Sequence, residues 1–184
     1  MSDPGTSVAG YSPAARVLHW IVAALVIAVI AIGIGRGYMP KGPDRDFVTM
    51  VHKATGIVVL ALMFLRIRLR LADTPPPPDP GLPAWQATLS GIVHWAFYAL
   101  LMIMPMLGWV GSNALGRPVS MYGLFDLPTL TEKNEPLGKA LYGWHEGLGY
   151  ALLALVVIHV GAALYHRYVR KDAVLSRMTL GGAR

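Results

Sequence analysis

Four long apolar stretches constrain this chain more than any other feature. Each contains the roughly 20 predominantly apolar residues that a helix needs to cross the hydrocarbon core of a bilayer. We predict membrane spans at about residues 17–36, 50–71, 91–112 and 141–166. The predicted fold class is therefore all-α, an integral membrane four-helix bundle that forms a single domain.

The composition agrees with a membrane setting. Of the 184 residues, 54% are hydrophobic and only 14% are charged, whereas about a quarter of a soluble domain is charged. The net charge of +6 does not indicate a nucleic-acid partner, because the basic residues lie at the ends of the apolar runs. The absence of cysteine excludes disulfides, iron–sulfur ligation and covalent c-type haem.

The first stretch is a weak candidate for a signal peptide. It is too long for one, no clear small-residue cleavage site follows it, and His19 lies inside it. We expect it to remain as a helix, so that four spans place both termini on one side. Nine of the 16 Lys and Arg residues fall on that side, and the positive-inside rule therefore predicts cytoplasmic termini.

Two connections between the spans have distinctive compositions. Residues 72–89 contain a run of prolines, which cannot stay helical and predicts an extended cytoplasmic loop. Residues 113–140 form the longest connection, a periplasmic loop rich in Gly and Pro with apolar residues between them. This loop either lies on the membrane surface as a cap over the bundle or is disordered.

All six histidines lie within or at the end of an apolar stretch, where ionisable side chains are costly and usually functional. His145 and His159 are fourteen residues apart. They leave the same helical face to within about 40° and lie about 21 Å apart along the axis. One such histidine would more often form a helix–helix hydrogen bond, but the complete set indicates two metal centres stacked across the membrane.

The direction of the chain sorts these histidines into two levels. His52 and His145 lie near the starts of the second and fourth spans, which both enter from the outer side. His19, near the start of the first span, and His159, late in the fourth, both lie toward the inner side. Two bis-histidine sites follow, His52 with His145 and His19 with His159. His94, at the inner start of the third span, is an alternative partner for His159.

Paired histidines without cysteine or a second carboxylate fit zinc and di-iron sites poorly. Haem takes axial nitrogen ligands on both faces and needs an apolar slot between helices. Two protein ligands leave no open position on iron, which favours electron transfer. Gly56, four residues after His52, would let a porphyrin approach the backbone, although Gly is common in membrane helices. A haem-free histidine-lined channel or proton relay is the rival hypothesis.

Two basic residues lie beside these levels. Arg66 is the deepest of the arginines that end the second span, and it either anchors to anionic membrane lipid or pairs with an inner haem propionate or a polar ligand head group. Lys53 follows His52 directly, and it could bind an outer haem propionate or attract an anionic reactant.

Several short motifs, in this order and spacing, resemble the bacterial cytochrome b561 family, a group of di-haem membrane cytochromes b. The resemblance covers about residues 11–178. The motifs are His19-Trp20, Met50-x-His52, the arginines Arg66, Arg68 and Arg70 before a run of prolines, Trp144-His145-Glu146, and Ile158-His159.

The resemblance implies two non-covalent b-type haems in the bundle core, ligated by His52 with His145 and by His19 with His159. It further implies electron transfer to ubiquinone across the bacterial inner membrane, and specifically a superoxide:ubiquinone oxidoreductase. Superoxide would be oxidised at the outer face, and ubiquinone would be reduced near the inner haem.

Lys53, Arg66 and His94 are the catalytic candidates under this hypothesis, and His166 is a further candidate neighbour of the quinone. The alternative is a cytochrome b anchor subunit that relays electrons between a dehydrogenase or hydrogenase and quinone. Loop 113–140 could then dock that partner redox protein.

Overall fold

Four long helices make up most of the chain. The computed structural model describes residues 10–73, 76–77 and 81–180. The helices are α1 (Pro13–Gly35), α2 (Pro43–Ala72), α3 (Ala84–Ala114) and α4 (Glu135–Tyr165). All four are long and apolar enough to cross a membrane, and the described residues contain no β-strand. The predicted all-α, four-helix fold is confirmed.

The helices begin earlier along the chain than the predicted spans, because polar first turns precede their apolar sections. α2 begins at Pro43 rather than near residue 50. α3 begins at Ala84, so residues 84–89 are helical and the predicted Pro-rich loop ends earlier than expected. α4 begins at Glu135, inside the predicted loop 113–140. Apolar content alone marks the part of a helix that lies in hydrocarbon, not its ends.

Local chemistry explains why these polar turns are helical. Proline stands in the first turn of α1, α2 and α4, where its missing N–H removes no hydrogen bond of the helix. The Ser12 hydroxyl accepts a hydrogen bond from the backbone N–H of Ala15, and the Asn134 side chain accepts one from that of Leu137. Both side chains therefore cap the helices that they precede.

A narrow core holds the helices together. Leu18, Val22 and Val26 repeat every four residues along one face of α1 and are buried against the other helices. Met63 of α2 is almost fully buried in the same cluster. Large apolar side chains cover the outside of all four helices, and such a surface is far larger than a soluble monomer exposes. The molecule is a membrane protein, and lipid is the environment that this surface fits.

The bundle has a loop end, formed by residues 36–42 and 115–134, and a terminal end, where α1 begins and α4 ends. At the loop end, residues 115–134 are ordered and cover the bundle. Val119 is buried, and the Trp109 indole donates to the carbonyl of Pro128 at 3.2 Å. Residues 115–134 therefore cover this end of the bundle, and their place at the membrane surface stays a prediction.

At the terminal end, the segment after α4 folds back against the start of α1. The Trp20 indole donates to the carbonyl of Met178 at 2.8 Å, and the Arg16 guanidinium donates to that of Thr179 at 3.0 Å. Residues 171–180 therefore form a clasp beneath the bundle.

Candidate functional site

Two of the predicted histidines face each other at the loop end. The ring centroids of His52 and His145 are 6.0 Å apart, and their planes are 81° from parallel. A histidine nitrogen binds a transition metal at about 2 Å, so the ring centroids of two axial imidazoles on one metal lie roughly 6 Å apart. The pair therefore has the separation that two axial ligands of one metal need.

Backbone carbonyls of other helices orient both rings. The Nδ1 atom of His52 lies 3.0 Å from the carbonyl oxygen of Val29 in α1. The Nδ1 atom of His145 lies 2.9 Å from that of Met104 in α3. A carbonyl can only accept, so each Nδ1 carries the proton and each Nε2 keeps its lone pair. This is the arrangement that metal-binding histidines usually show.

Two glycines make room for these rings, and no pattern in the sequence distinguishes them. A Cβ atom placed on Gly33 would lie 2.8 Å from Cε1 of His52, and one on Gly108 would lie 3.2 Å from Cε1 of His145. A larger residue at position 33 would push the His52 imidazole away, and one at position 108 would require His145 to shift by a few tenths of an ångström. Both glycines lie in apolar spans, where glycine is common, so only the contact between helices reveals their role.

A cleft opens between the two histidines. Gly56 lines it, and a Cβ atom on Gly56 would meet no protein atom within 4 Å. The position therefore borders open space, as expected for a glycine beside a flat cofactor. The ring spacing, the bare Nε2 atoms and this open border together fit a haem held between His52 and His145.

Two cations line the same cleft. Lys53 donates to the hydroxyl of Ser112 at 2.7 Å and to the carbonyl of Pro118 at 3.0 Å, so it ties α2 to α3 and to the covering loop. Arg36 follows α1, and its buried Nε atom has no hydrogen-bond partner among the described residues. The sequence placed Arg36 only among the basic residues of the outer side, because nothing local connects it to the histidines.

Three histidines meet toward the terminal end. The ring centroid of His159 lies 6.4 Å from that of His19 and 5.8 Å from that of His94. Phe97 packs edge-on against His159, with ring centroids 5.2 Å apart. Both histidine separations are close to the roughly 6 Å expected of paired axial ligands. The structure therefore brings all three predicted residues together and leaves both pairings open.

Arg66 contacts this group directly. Its guanidinium donates to Nδ1 of His19 at 2.9 Å and lies 5.9 Å from the ring centroid of Tyr98. Because arginine can only donate, Nδ1 of His19 accepts and its Nε2 carries the proton. The ring spacing of the terminal-end histidines thus fits haem ligation. The tautomer of His19 does not, because its Nε2 atom carries a proton. Nε2 of His19 becomes a ligand only if Arg66 releases Nδ1.

His166 lies apart from the three histidines, at the end of the last span. Its Nδ1 atom is 2.6 Å from Oδ2 of Asp172, which also accepts from the Arg170 guanidinium at 3.2 Å. Burial opposes the charge on Asp172, but the hydrogen bonds from His166 and the Val174 N–H outweigh it and hold the pKa of Asp172 below its ordinary value. His166 is thus part of the clasp.

Comparison with known proteins identifies the group to which this architecture belongs. A family model of prokaryotic cytochrome b561 matches residues 10–181. The chain belongs to the cytochrome b561 family. The family resemblance predicted from the motifs is confirmed, and the chain is a membrane cytochrome of a family that binds b-type haem and transfers electrons.

Curated relatives agree with this assignment over most of their length. Cytochrome b561 homolog 1 of Escherichia coli (strain K12) is 32% identical over 164 residues, which cover 88% of this chain and 92% of that protein. Cytochrome b561 homolog 2 of the same organism is 29% identical over 178 residues, or 91% and 90% of the two chains. A protein of Yersinia pestis, named probable superoxide oxidase CybB, is 31% identical over 161 residues, or 88% and 90%.

Proposed function

We propose that this cytochrome b561 chain holds two b-type haems and passes electrons from superoxide at the loop end to ubiquinone at the terminal end. The facing His52 and His145 imidazoles, 6.0 Å apart with both Nδ1 atoms on carbonyls, carry the proposal. The superoxide oxidase name of the Yersinia pestis relative supports the choice of donor.

His52 and His145 would hold the loop-end haem, and His19 and His159 the terminal-end haem. Each haem, when bound, supplies a reversible one-electron centre with no open position for oxygen. The carbonyls of Val29 and Met104 keep the loop-end imidazoles in the ligating orientation. His145 and His159 are about 21 Å apart along α4, most of the ~30 Å hydrocarbon thickness.

Superoxide is a small anion, so the cations of the cleft are its expected contacts. Arg36 lines the cleft beside the histidine pair, and Lys53 is held by two neutral oxygen atoms that leave its charge uncompensated. Both would raise the local concentration of an anion. Two superoxide ions each give up one electron and leave as oxygen, and one ubiquinone takes up both electrons and two protons to form ubiquinol.

Arg66 and His94 are the residues that we assign to the quinone. Both adjoin the terminal-end histidines, because Arg66 donates to His19 and the His94 ring faces that of His159. Arg66 would donate to a quinone carbonyl, and His94 would pass a proton to the reduced oxygen. The distribution of basic residues predicts cytoplasmic termini in the inner membrane, so under this proposal protons would be taken up from the cytoplasmic side.

Stopped-flow mixing of the oxidised, haem-loaded protein in lipid nanodiscs with superoxide tests the proposal. Superoxide should reduce the haems, and added ubiquinone should reoxidise them. Arg36→Gln should slow the first phase several-fold and weaken its dependence on ionic strength. Lys139→Gln is the matched control, because Lys139 is exposed and paired with Glu135 at 2.8 Å. If superoxide leaves the haems oxidised, the donor is wrong, and copurification of a redox partner would favour the anchor-subunit alternative.

A further inference from the structure

The loop end carries a small hairpin, residues 119–127, whose tip is strongly apolar. Its arms are paired by the backbone hydrogen bonds from Leu127 N to Val119 O at 2.9 Å and from Met121 N to Phe125 O at 2.8 Å. At the tip, Leu124 is 82% exposed and Phe125 is 59% exposed. Asp126, at the base, is the only charged residue of the nine.

Two contacts fix the depth of this tip against α2. The Tyr122 hydroxyl lies 3.1 Å from that of Thr55, and a Cβ atom on Gly123 would lie 3.9 Å from Sδ of Met50. The carboxylate of Asp46 marks the last acidic position before the apolar part of α2. Met50 and Thr55 lie about 6 and 13 Å beyond Asp46 along the helix axis.

A contact with α3 gives the same depth independently. Lys53 donates to both Ser112 and Pro118. Because one ammonium group reaches both residues, Pro118 lies at the same level along the bundle as Ser112. Between these residues the chain passes the end of α3 at Ala114. The hairpin therefore descends again beside the helices instead of projecting away from them.

The hairpin also has the chemistry that such a depth requires. Two backbone hydrogen bonds join its arms, and internal pairing of this kind lowers the cost of placing irregular backbone where water is scarce. Apolar side chains that enter a bilayer from its surface reach about 5–10 Å into the boundary between head groups and acyl chains. Measured along α2 from Asp46, the tip reaches a comparable distance, and its Leu124 and Phe125 side chains are exposed.

We propose that the tip of residues 119–127 docks into the lipid leaflet at the loop end. The occupant of this apolar surface is lipid, not a partner protein. Because Val119, in the first arm, lines the histidine cleft, contact of the tip with lipid also holds one wall of the cleft in place. The inference does not depend on the electron donor or acceptor.

Single cysteines test the proposal cleanly, because the chain has none of its own. Leu124→Cys and Phe125→Cys would each carry a nitroxide label in the haem-loaded protein, reconstituted in vesicles of phosphatidylethanolamine and phosphatidylglycerol. We expect both labels to collide more often with oxygen, which concentrates in lipid, than with a water-soluble nickel complex. Ile103→Cys, on the exposed face of α3, gives the reference for lipid.

Asp126→Cys and Glu132→Cys are the matched controls. Both positions are exposed in the same loop, and their labels should favour the nickel complex. Asp126 lies in the hairpin itself. If the nitroxide label entered lipid only because the label is apolar, the label at residue 126 would enter lipid as well. Nickel accessibility at residues 124 and 125 equal to that at residue 132 would overturn the proposal and leave the tip in water. An unaltered haem spectrum verifies the fold of each variant.

Discussion

The imidazoles of His52 and His145 face each other across the bundle, 6.0 Å between ring centroids and nearly perpendicular. Each ring is oriented by a carbonyl of a helix other than its own, Val29 of α1 for His52 and Met104 of α3 for His145. All four helices therefore contribute to one pair of candidate ligands. Such support from the surrounding helices fixes the direction of Nε2, which a metal site requires.

Gly33 offers the sharpest test of this support. In Gly33→Ala the new methyl group would meet Cε1 of His52 at 2.8 Å and push the ring off the carbonyl of Val29. We expect haem affinity at the loop end to fall about 10–100-fold, as for other losses of an orienting partner. Haem retention on dilution and the low-spin electron paramagnetic resonance signal would measure the effect.

Gly35→Ala is the control for that variant. It lies in the same helix, gains the same helix propensity, and its Cβ atom would meet nothing within 4 Å. Equal haem retention and equal resonance signals in Gly33→Ala and Gly35→Ala would mean that the contact of His52 with α1 does not affect haem binding.

The partner of His159 can be decided by substituting each of its two neighbours. We expect His19→Ala to remove the terminal-end haem, and His94→Ala to keep both haems while slowing ubiquinone reduction by a general acid–base factor of about 10²–10⁴. Haem content and single-turnover reoxidation by ubiquinone measure the two effects. Loss of a haem from His94→Ala, with retention in His19→Ala, would reverse the assignment.

Arg66 should tune the terminal-end haem through its charge. Removing a cation that adjoins His19 favours the oxidised iron, so Arg66→Gln should lower the midpoint potential of that haem by roughly 60 mV, a tenfold change for a one-electron couple. Arg68→Gln removes the same charge from an exposed position of α2 and should shift the potential much less. If a redox titration gives equal shifts of the midpoint potential for Arg66→Gln and Arg68→Gln, the potential responds to the overall charge of the protein and not to the contact of Arg66 with His19.

The clasp should depend on pH through Asp172. The pKa of Asp172 is lowered in the folded chain, so its charge stabilises the clasp fully above its ordinary pKa of about 4, and this contribution disappears as the pH falls through the lowered value. Asp172→Asn should therefore loosen residues 171–180 by about 1 kcal/mol at pH values above the ordinary pKa of Asp172.

Hydrogen exchange of that segment, compared with the unaltered protein at each pH, measures the difference. It should shrink toward acid pH, because protonation then removes from the unaltered protein the charge that the variant already lacks. A difference that persists undiminished at pH values well below about 4 would contradict the assigned role of Asp172.

The sequence was sufficient for the parts of the account that depend on local pattern. Apolar runs of bilayer length located all four helices, and the direction of each span put His52 level with His145. The helix ends at Pro43, Ala84 and Glu135 were missed because polar first turns carry no hydropathy signal, although their prolines and caps were visible.

Contacts between distant segments could not be predicted in the same way. Gly33 and Gly108 matter because of rings on other helices, and no spacing within their own spans indicates those partners. The order in loop 113–140 comes from Lys53, Thr55 and Trp109 on the helices beneath it. The clasp around Asp172 likewise depends on contacts between segments that are far apart in the sequence.

The number of haems per polypeptide distinguishes a two-haem bundle from a bundle with one haem or none. Denaturing the purified, fully loaded protein in alkaline pyridine and measuring the haem absorbance against the protein concentration gives this ratio. We expect two b-type haems in the unaltered chain and one in His145→Ala, with the terminal-end haem retained. One haem or fewer in the unaltered chain, or two in His145→Ala, would contradict this expectation.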